Sequence, residues 1–469
     1  MPPRRQYNGL NLRDKTLLTV AAFDSPGPTF PIFNPATDKL IAILEDSDER
    51  ACHQAIQKAQ TALKDLKTWL PKDRAEVLLD WGTRIVQATN DLAAIITAES
   101  GNLLSEAKDE VKHAADFLSW FAGEAHVIDG AKIIPGSWNA KAHTINQPIG
   151  IAGIITPWTY PAAMVTRKVG AAFAAGCPCI LKPSPETPLT AMALATIAYR
   201  AGIPRHAFQV IYCSKHTAAV GEVLTTYPAI RKFSFAGSAI IGRTLAARCM
   251  LTMKRVDFAL GGNAPLIVFS DANIEKAVQV IMNNTFRLSG HLCICANRIY
   301  VQKDIHDAVI LVARVRELKL GRGNGKGTIL RPLISSRAAE KVQKHVQDAV
   351  EKGATILVGG NIANHLGTAF FEPTVLVNVD PYDPLCMTEE TSGPVVPIVK
   401  FYAGKWALTQ ANRSHAGLAG YIFTESIVRA SRDPHVPFGG VKGSGIGREG
   451  SSLGIYEYLE IKSVTTNVT

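Results

Sequence analysis

Residues 149–201, IGIAGIITPWTYPAAMVTRKVGAAFAAGCPCILKPSPETPLTAMALATIAYRA, hold two strand–turn–helix units in succession. Gly150–Thr156 reads as a short apolar strand and Pro161–Ala175 as a helix of small and apolar residues. The pattern restarts with Cys179–Lys182 and Thr187–Ala201, and again with Lys232–Phe235 and Ile240–Met250. Strands that alternate with helices argue for a parallel sheet covered on both faces. A second α/β series begins at Pro265–Phe269 and Asn273–Phe286 and continues to about Val399.

Upstream of that stretch the spacing is helical. Ala51, Ala55, Ala59, Ala62 and Leu66 make one apolar stripe between Asp48 and Trp69. A second helix is expected to open at Asp73, with Glu76 as its capping-box partner. It would carry Val77, Leu78, Trp81 and Ile85 inward and stop near Gly101. A third is expected from Ser105 to Ala125. Between Ile128 and Ile155, turn pairs at Asp129-Gly130 and Pro135-Gly136 separate strand-like runs, as in a protruding hairpin. The tail, Ile455–Thr469, reads as a strand that pairs with another segment.

The chain has 469 residues, 47% hydrophobic and 19% charged, enough for a large core divided into two or three lobes. Its net charge of +10 suits an anionic cofactor or a carboxylate substrate. Lys and Arg are scattered without a run of five and without a nucleic-acid-binding motif, so no nucleic-acid partner is expected. The eight cysteines form no Cys-x-x-Cys pair and no zinc spacing. Reduced thiols in the cytoplasm, without a metal, are expected. The opening MPPRRQYNGLNLRDK has no apolar run behind its arginines, and Asp14 interrupts it as a transit peptide. Val169–Leu181, the longest nearly apolar stretch, is too short for a bilayer, so no membrane partner is expected.

Two places carry chemistry. The strand ending Phe235-Ala-Gly237-Ser238 leads into a helix with Gly242 in its first turn. Such an end lets the backbone approach a phosphate, although an ordinary strand-to-helix turn reads the same way. In Ser289-Gly290-His291-Leu292-Cys293-Ile294-Cys295, Cys293 follows a glycine and would enter a buried helix. It reads as an activated nucleophile or as a core cysteine.

Taken in order, the segments are Ile154-Ile-Thr156-Pro157-Trp158, Lys182-Pro-Ser184, Phe235-Ala-Gly237-Ser238 and Leu260-Gly261-Gly262. Gly290-His-Leu-Cys293, Glu390-Thr-Ser-Gly393-Pro394 and Pro437-Phe438-Gly439-Gly440 follow. This set resembles the aldehyde dehydrogenase superfamily from end to end. Ala163–Gly170 and Gly447-Arg-Glu-Gly450 look like its succinate-semialdehyde branch. The resemblance implies an α/β fold with a Rossmann-type cofactor lobe (1–127 and 149–258) and an α/β catalytic lobe (259–436). It also implies a small oligomerisation lobe (128–148 and 455–469) and a homodimer or homotetramer. It makes Cys293 the thiolate that attacks a small-molecule aldehyde, with NAD or NADP as cofactor. Thr156, Trp158, Lys182, Ser184, Gly237, Ser238, Gly242, Leu260, Gly261 and Glu390 match cofactor positions. Lys182 would reach the adenine ribose, Ser238 a phosphate and Glu390 the nicotinamide ribose. Arg167 and Arg287 match the pair that holds the substrate carboxylate, where guanidinium pairing is strong and directional. Cys295 would be a resolving partner for Cys293 or a buried neighbour.

The chain departs from the family pattern at several points. Thr159 stands where an Asn amide donates to the oxyanion, a loss worth on the order of 10²–10³ in rate. Ala259 stands where a Glu activates the deacylating water, a loss of roughly 10²–10⁴. Asp257 lies two residues upstream. Ser392 replaces a Phe beside the nicotinamide, and His291-Leu292 replaces Gln-Thr, which makes His291 a candidate base. Pro185, with Glu186 beside it, stands where many relatives carry a carboxylate for the adenosine ribose, so NAD and NADP both stay open. Between Gly420 and Pro437 the family has a helix, a strand and a substrate loop, but here the chain passes almost directly from Ile427 to Pro437. An internal deletion that removes a strand from the catalytic sheet is expected, with the serine-bearing loop missing or replaced by Arg432-Asp433. Three readings follow. The first is a weakened dehydrogenase for a small carboxylate-bearing aldehyde such as succinic semialdehyde. The second is a nucleotide-binding pseudoenzyme, and the third an aldehyde dehydrogenase that passes its acyl group to coenzyme A.

Overall fold

The Asp48 carboxylate accepts the Ala51 amide at 3.0 Å and opens α1 (Glu49–Leu66), whose stripe from Cys52 to Leu66 is buried. This computed structural model describes residues 10–18, 28–128, 130–134, 140–306, 312–424 and 437–467. β1 (Thr29–Phe33) and β2 (Leu40–Glu45) pair antiparallel ahead of α1. The helix expected from Asp73 to Gly101 is two helices, α2 (Pro71–Gln87) and α3 (Thr89–Ser100), broken at Ala88. It also starts earlier than expected. Pro71 presets the first helical φ, and Asp73 accepts the Leu70 amide at 3.0 Å from the third position. Gly101, at φ +75°, ends α3, and α4 (Leu104–His126) follows.

β3 (Lys132–Ile133) and β4 (Ala140–Pro148) form the expected hairpin; Asp129 and the turn at Pro135-Gly136 lie outside the described residues. The alternating units then appear as β5 (Ile151–Ile155), α5 (Pro161–Ala174), β6 (Cys179–Lys182), α6 (Pro188–Arg200) and β7 (Phe208–Val210). α7 (Thr217–Thr226), β8 (Ile230–Gly237), α8 (Ala239–Met250) and β9 (Arg255–Leu260) complete the lobe. β5 to β9 pair in parallel in the order β9-β8-β5-β6-β7. One core packs α2 to α6 against this sheet, and another packs α1, α7 and α8.

The second lobe holds β10 (Ala264–Val268), α9 (Ile274–Phe286), β11 (Ala296–Gln302), α10 (Val312–Arg316) and α11 (Ser336–Glu351). β12 (Thr355–Val358), β13 (Thr374–Val377), α12 (Leu385–Thr388), β14 (Val395–Phe401) and α13 (Gly404–Asn412) follow. After β15 (Ala416–Gly417), β16 (Tyr421–Phe423) pairs with β10 at the edge of a six-stranded sheet ordered β12-β13-β14-β11-β10-β16. The shortened interval thus keeps a strand on this sheet, against the expected loss; residues 425–436, Arg432-Asp433 among them, lie outside the described residues.

The chain then returns to the first lobe. β17 (Val441–Lys442) pairs with β15, and β18 (Gly445–Ile446) adds an antiparallel edge to β9. After α14 (Ser451–Tyr456), β19 (Leu459–Asn467) runs antiparallel along all of β4, so the tail strand finds its partner within its own chain.

Candidate active site

The cofactor-side residues gather at the carboxyl ends of β5, β6, β8 and β9, where parallel sheets bind their ligands. Thr156 and Lys182 are joined across two strands by a 3.2 Å main-chain bond. Lys182 is buried, and burial lowers its ammonium below the usual range against Cys213, Glu186 and Asp46. The Ser184 hydroxyl donates to Glu186. Ser238 caps α8 without spending its hydroxyl on the helix. A Cβ on Gly237 would stand 2.9 Å from the Phe235 ring, and one on Gly242 would stand 2.4 Å from Leu260 Cδ2. Bare backbone at a strand end and an open helix start fit a pyrophosphate, and a buried lysine fits the sugar beyond it.

Glycines also bring three distant motifs into contact. A Cβ on Gly262 would lie 2.3 Å from the Cys293 carbonyl oxygen, and one on Gly261 would lie 2.2 Å from Glu390 Oε2. A Cβ on Gly290 would lie 2.1 Å from the Gly393 carbonyl. The Gly261-Gly262 turn is pinned beyond by Asn263, which donates to the Met387 carbonyl at 3.0 Å. Arg298 donates to the Asn263 carbonyl at 3.0 Å.

Cys293 does not enter a helix. Leu288, Ser289 and Gly290 at φ +50°, +52° and +76° end the helical path, and Cys293 sits in a turn before β11. No helix dipole acts on it from its own segment. Access distinguishes it instead, because the other seven cysteines are buried. Burial pushes the Cys52, Cys249 and Cys386 thiols up to about 12. Cys295 packs with Leu288 and Leu292 rather than toward solvent. Ser289 ties the turn to Arg331, donating to its carbonyl at 2.8 Å and accepting its amide at 3.0 Å. Glu106 accepts the Leu288 amide at 3.1 Å.

His291 is buried edge-on to Trp158 with ring centroids 4.5 Å apart. Burial, then Arg331, hold its imidazole well below the usual range, so it is neutral and a feeble base. Asp257 is no better. Its carboxylate meets Lys232 at 2.7 Å and Lys168 at 3.3 Å. Burial raises it, but the two lysines prevail and hold it at about 2. Ala259 is on the same face of β9, one repeat onward. Glu390 differs from both. Burial pushes its carboxyl up to about 6 against Lys341, the Ser392 hydroxyl and the Gly262 amide.

The expected carboxylate pair is split in environment. Arg287 is exposed at the end of α9. Arg167 is buried on α5 between the Phe117 and Phe438 rings, 4.7 Å from each, with Glu449 at 3.4 Å. Thr159 and Trp158 are half-buried in the loop before α5. Glu110 fixes that loop by accepting the Ala162 and Ala163 amides at 2.7 and 3.4 Å. Sequence reasoning missed Glu106, Glu110, Arg331, Lys168 and Glu449. Each acts on residues far along the chain, and only the acid in a mid-helix apolar stripe, Glu110, left a local signal.

The aldehyde dehydrogenase family profile matches residues 23–433. The chain belongs to the aldehyde dehydrogenase family. It is 44% identical to succinate-semialdehyde dehydrogenase [NADP(+)] 1 of Schizosaccharomyces pombe, over 94% of this chain and 92% of that one. It is 43% identical to the mitochondrial succinate-semialdehyde dehydrogenase of Rattus norvegicus, over 93% of this chain and 87% of that one. A crystal structure of succinate-semialdehyde dehydrogenase from Burkholderia pseudomallei superposes with a TM-score of 0.94 at 38% identity, covering 97% of this chain and all of that one. In this aldehyde dehydrogenase, then, the Cys293 thiol and the Gly261-Gly262 turn stand in an α/β frame shared with that structure. No helix of the described residues is long and apolar enough to cross a membrane.

Proposed function

We propose that this aldehyde dehydrogenase oxidises a small aldehyde with a distal carboxylate, of the succinic semialdehyde class, to the acid with NAD or NADP, at a rate reduced by Thr159 and Ala259. The carrying observation is that the one partly exposed cysteine, Cys293, abuts the same Gly-Gly turn as Glu390. The relatives' names support the substrate class.

Lys182, Ser184, Gly237, Ser238 and Glu390 would hold the nicotinamide dinucleotide, which when bound supplies the hydride acceptor. Trp158 and the α8 start orient it. The Cys293 sulfur attacks the aldehyde carbon, and the Thr159 hydroxyl and nearby main-chain amides carry the developing oxyanion. Arg287 takes the distal carboxylate. Arg167, the second arginine of the matched pair, would join it only by sharing its guanidinium with Glu449, which already stands 3.4 Å away. Water then releases the acid from the thioester, or coenzyme A takes the acyl group, a transfer that needs no base at position 259.

We further assign residues 1–127 and 149–258 to the cofactor lobe, 259–436 to the catalytic lobe, and 128–148 with 455–469 to subunit contact in a homodimer or homotetramer. Exposed Ile134 and Ile461 support that contact. The cysteine pattern supports the cytoplasm as the site of action.

The test compares kcat/KM for succinic semialdehyde with that for an uncharged aldehyde of equal length. A preference of at least tenfold for the acid is expected, and equal values reject the carboxylate pocket.

A further inference from the structure

The loss of the carboxylate at position 259 leaves the acyl-enzyme without a free base on β9. Asp257 is the nearest in sequence, but it is locked between Lys168 and Lys232. Glu449 is engaged by Lys168 and Arg167. Glu106 holds the Leu288 amide through Oε1 at 3.1 Å, and its Oε2 is buried without a hydrogen bond, away from the Gly261-Gly262 turn that Glu390 meets. His291 lies buried against Trp158.

Glu390 is placed differently. Its Oε2 rests where a Cβ on Gly261 would stand, and the next residue, Gly262, touches the Cys293 carbonyl. Consecutive α-carbons are about 3.8 Å apart, so the carboxylate and the main chain of the nucleophile flank a single peptide unit. Ser392, where the family carries a bulky Phe, donates its hydroxyl to Glu390 Oε1 at 3.2 Å. Ser392 holds φ +48°, a conformation that favours small residues. Two departures thus meet at one carboxylate: Ala259 removes a base, and Ser392 removes bulk and supplies an orienting donor.

We infer that Glu390 is the general base for deacylation in this chain, activating a water that attacks the Cys293 thioester. Glu390 takes one proton from the water, and the water oxygen bonds to the acyl carbon. The C–S bond breaks with its electron pair left on the Cys293 sulfur. The acid departs, and the proton passes from Glu390 to solvent. The charged group facing Glu390 from α11 is Lys341, which donates to the Glu390 main-chain carbonyl at 2.8 Å. His345, on the same helix, meets the Thr391 hydroxyl at 3.3 Å, and burial holds it at about 4, so it is neutral. From the β9–β10 turn, Glu390 accepts the Gly262 amide. A carboxyl pushed up to about 6 is matched to proton abstraction near neutrality. The base form is required, so deacylation is lost as pH falls through that value.

This inference rests on the thiol reading of Cys293, and cofactor-free hydrolysis of p-nitrophenyl acetate separates the two. The initial burst reports acylation of the thiol, and the steady rate reports deacylation with no nucleotide present. Glu390→Gln should keep the burst, slow the steady rate about a hundredfold and abolish its dependence on pH between 5 and 7. Adding Ala259→Glu to that variant should restore the steady rate. An unchanged steady rate in Glu390→Gln, with only the nucleotide KM raised, would confine Glu390 to the ribose and overturn the inference. Failure of the double variant to recover, while its burst persists, would overturn it as well. Absence of a burst in the unaltered protein would overturn the thiol reading itself.

Discussion

Cys293 and Arg287 are set apart by access, the property that spacing along a chain does not encode. Native protein should therefore take up about one equivalent of iodoacetamide rapidly, and Cys293→Ser should take up none on that timescale. Rapid labelling of a second thiol would contradict the burial of the other seven. Arg287→Ala should cost kcat/KM for succinic semialdehyde about tenfold to a hundredfold, the worth of a charge-assisted bond of ~1.5–3 kcal/mol. It should leave an uncharged aldehyde nearly unchanged; equal losses would remove Arg287 from the carboxylate site. At this scale the sequence showed which residues match a family role, because identity is local. It did not show that Arg167 is shared with Glu449, a partner 282 positions away.

Elements are held by charges that the linear pattern hides. α5 carries Arg167 and Lys168, its start is fixed by Glu110, and its lysine enters a buried cluster with Ser234, Asp257 and Glu449. Removing one partner strands the others. Asp257→Asn should destabilise the fold by ~3–5 kcal/mol, read as a lowered urea midpoint. No change would mean the lysines are relieved elsewhere. Asp257 is held at about 2 when folded against an ordinary value of 3.8. Its contribution is therefore present above pH 4 and is lost as pH falls through about 2. The helices themselves were legible from apolar spacing, but two boundaries were not. The break at Ala88 leaves the apolar period nearly intact, and the turn at Cys293 depends on left-handed φ at Leu288 and Ser289, residues with no intrinsic bias toward it. At Gly262 the geometry is stricter, since any Cβ would strike the Cys293 carbonyl. Gly262→Ala should cut turnover at least tenfold and lower thermal stability, because main chain must move; unchanged turnover would mean the nucleophile turn yields freely.

For the whole molecule, two largely parallel sheets and a protruding hairpin were readable from alternating strands and helices and from the order of motifs. The return of the chain after residue 437 was not. β18 extends the first sheet and β19 pairs with β4, both through long-range main-chain bonds that no local pattern announces. Chemistry at this scale is a sequence of two halves, thiol attack with oxidation and then release of the acyl group, and the departures at Thr159 and Ala259 weigh on them differently. The direct test is rapid mixing of the full chain with succinic semialdehyde and NAD or NADP, following reduced nicotinamide. A burst of about one equivalent per chain followed by slow turnover is the predicted result, with acyl release limiting. No burst with either cofactor from folded protein, or a burst that survives Cys293→Ala, would contradict the assignment of this chain as a thiol-dependent aldehyde dehydrogenase.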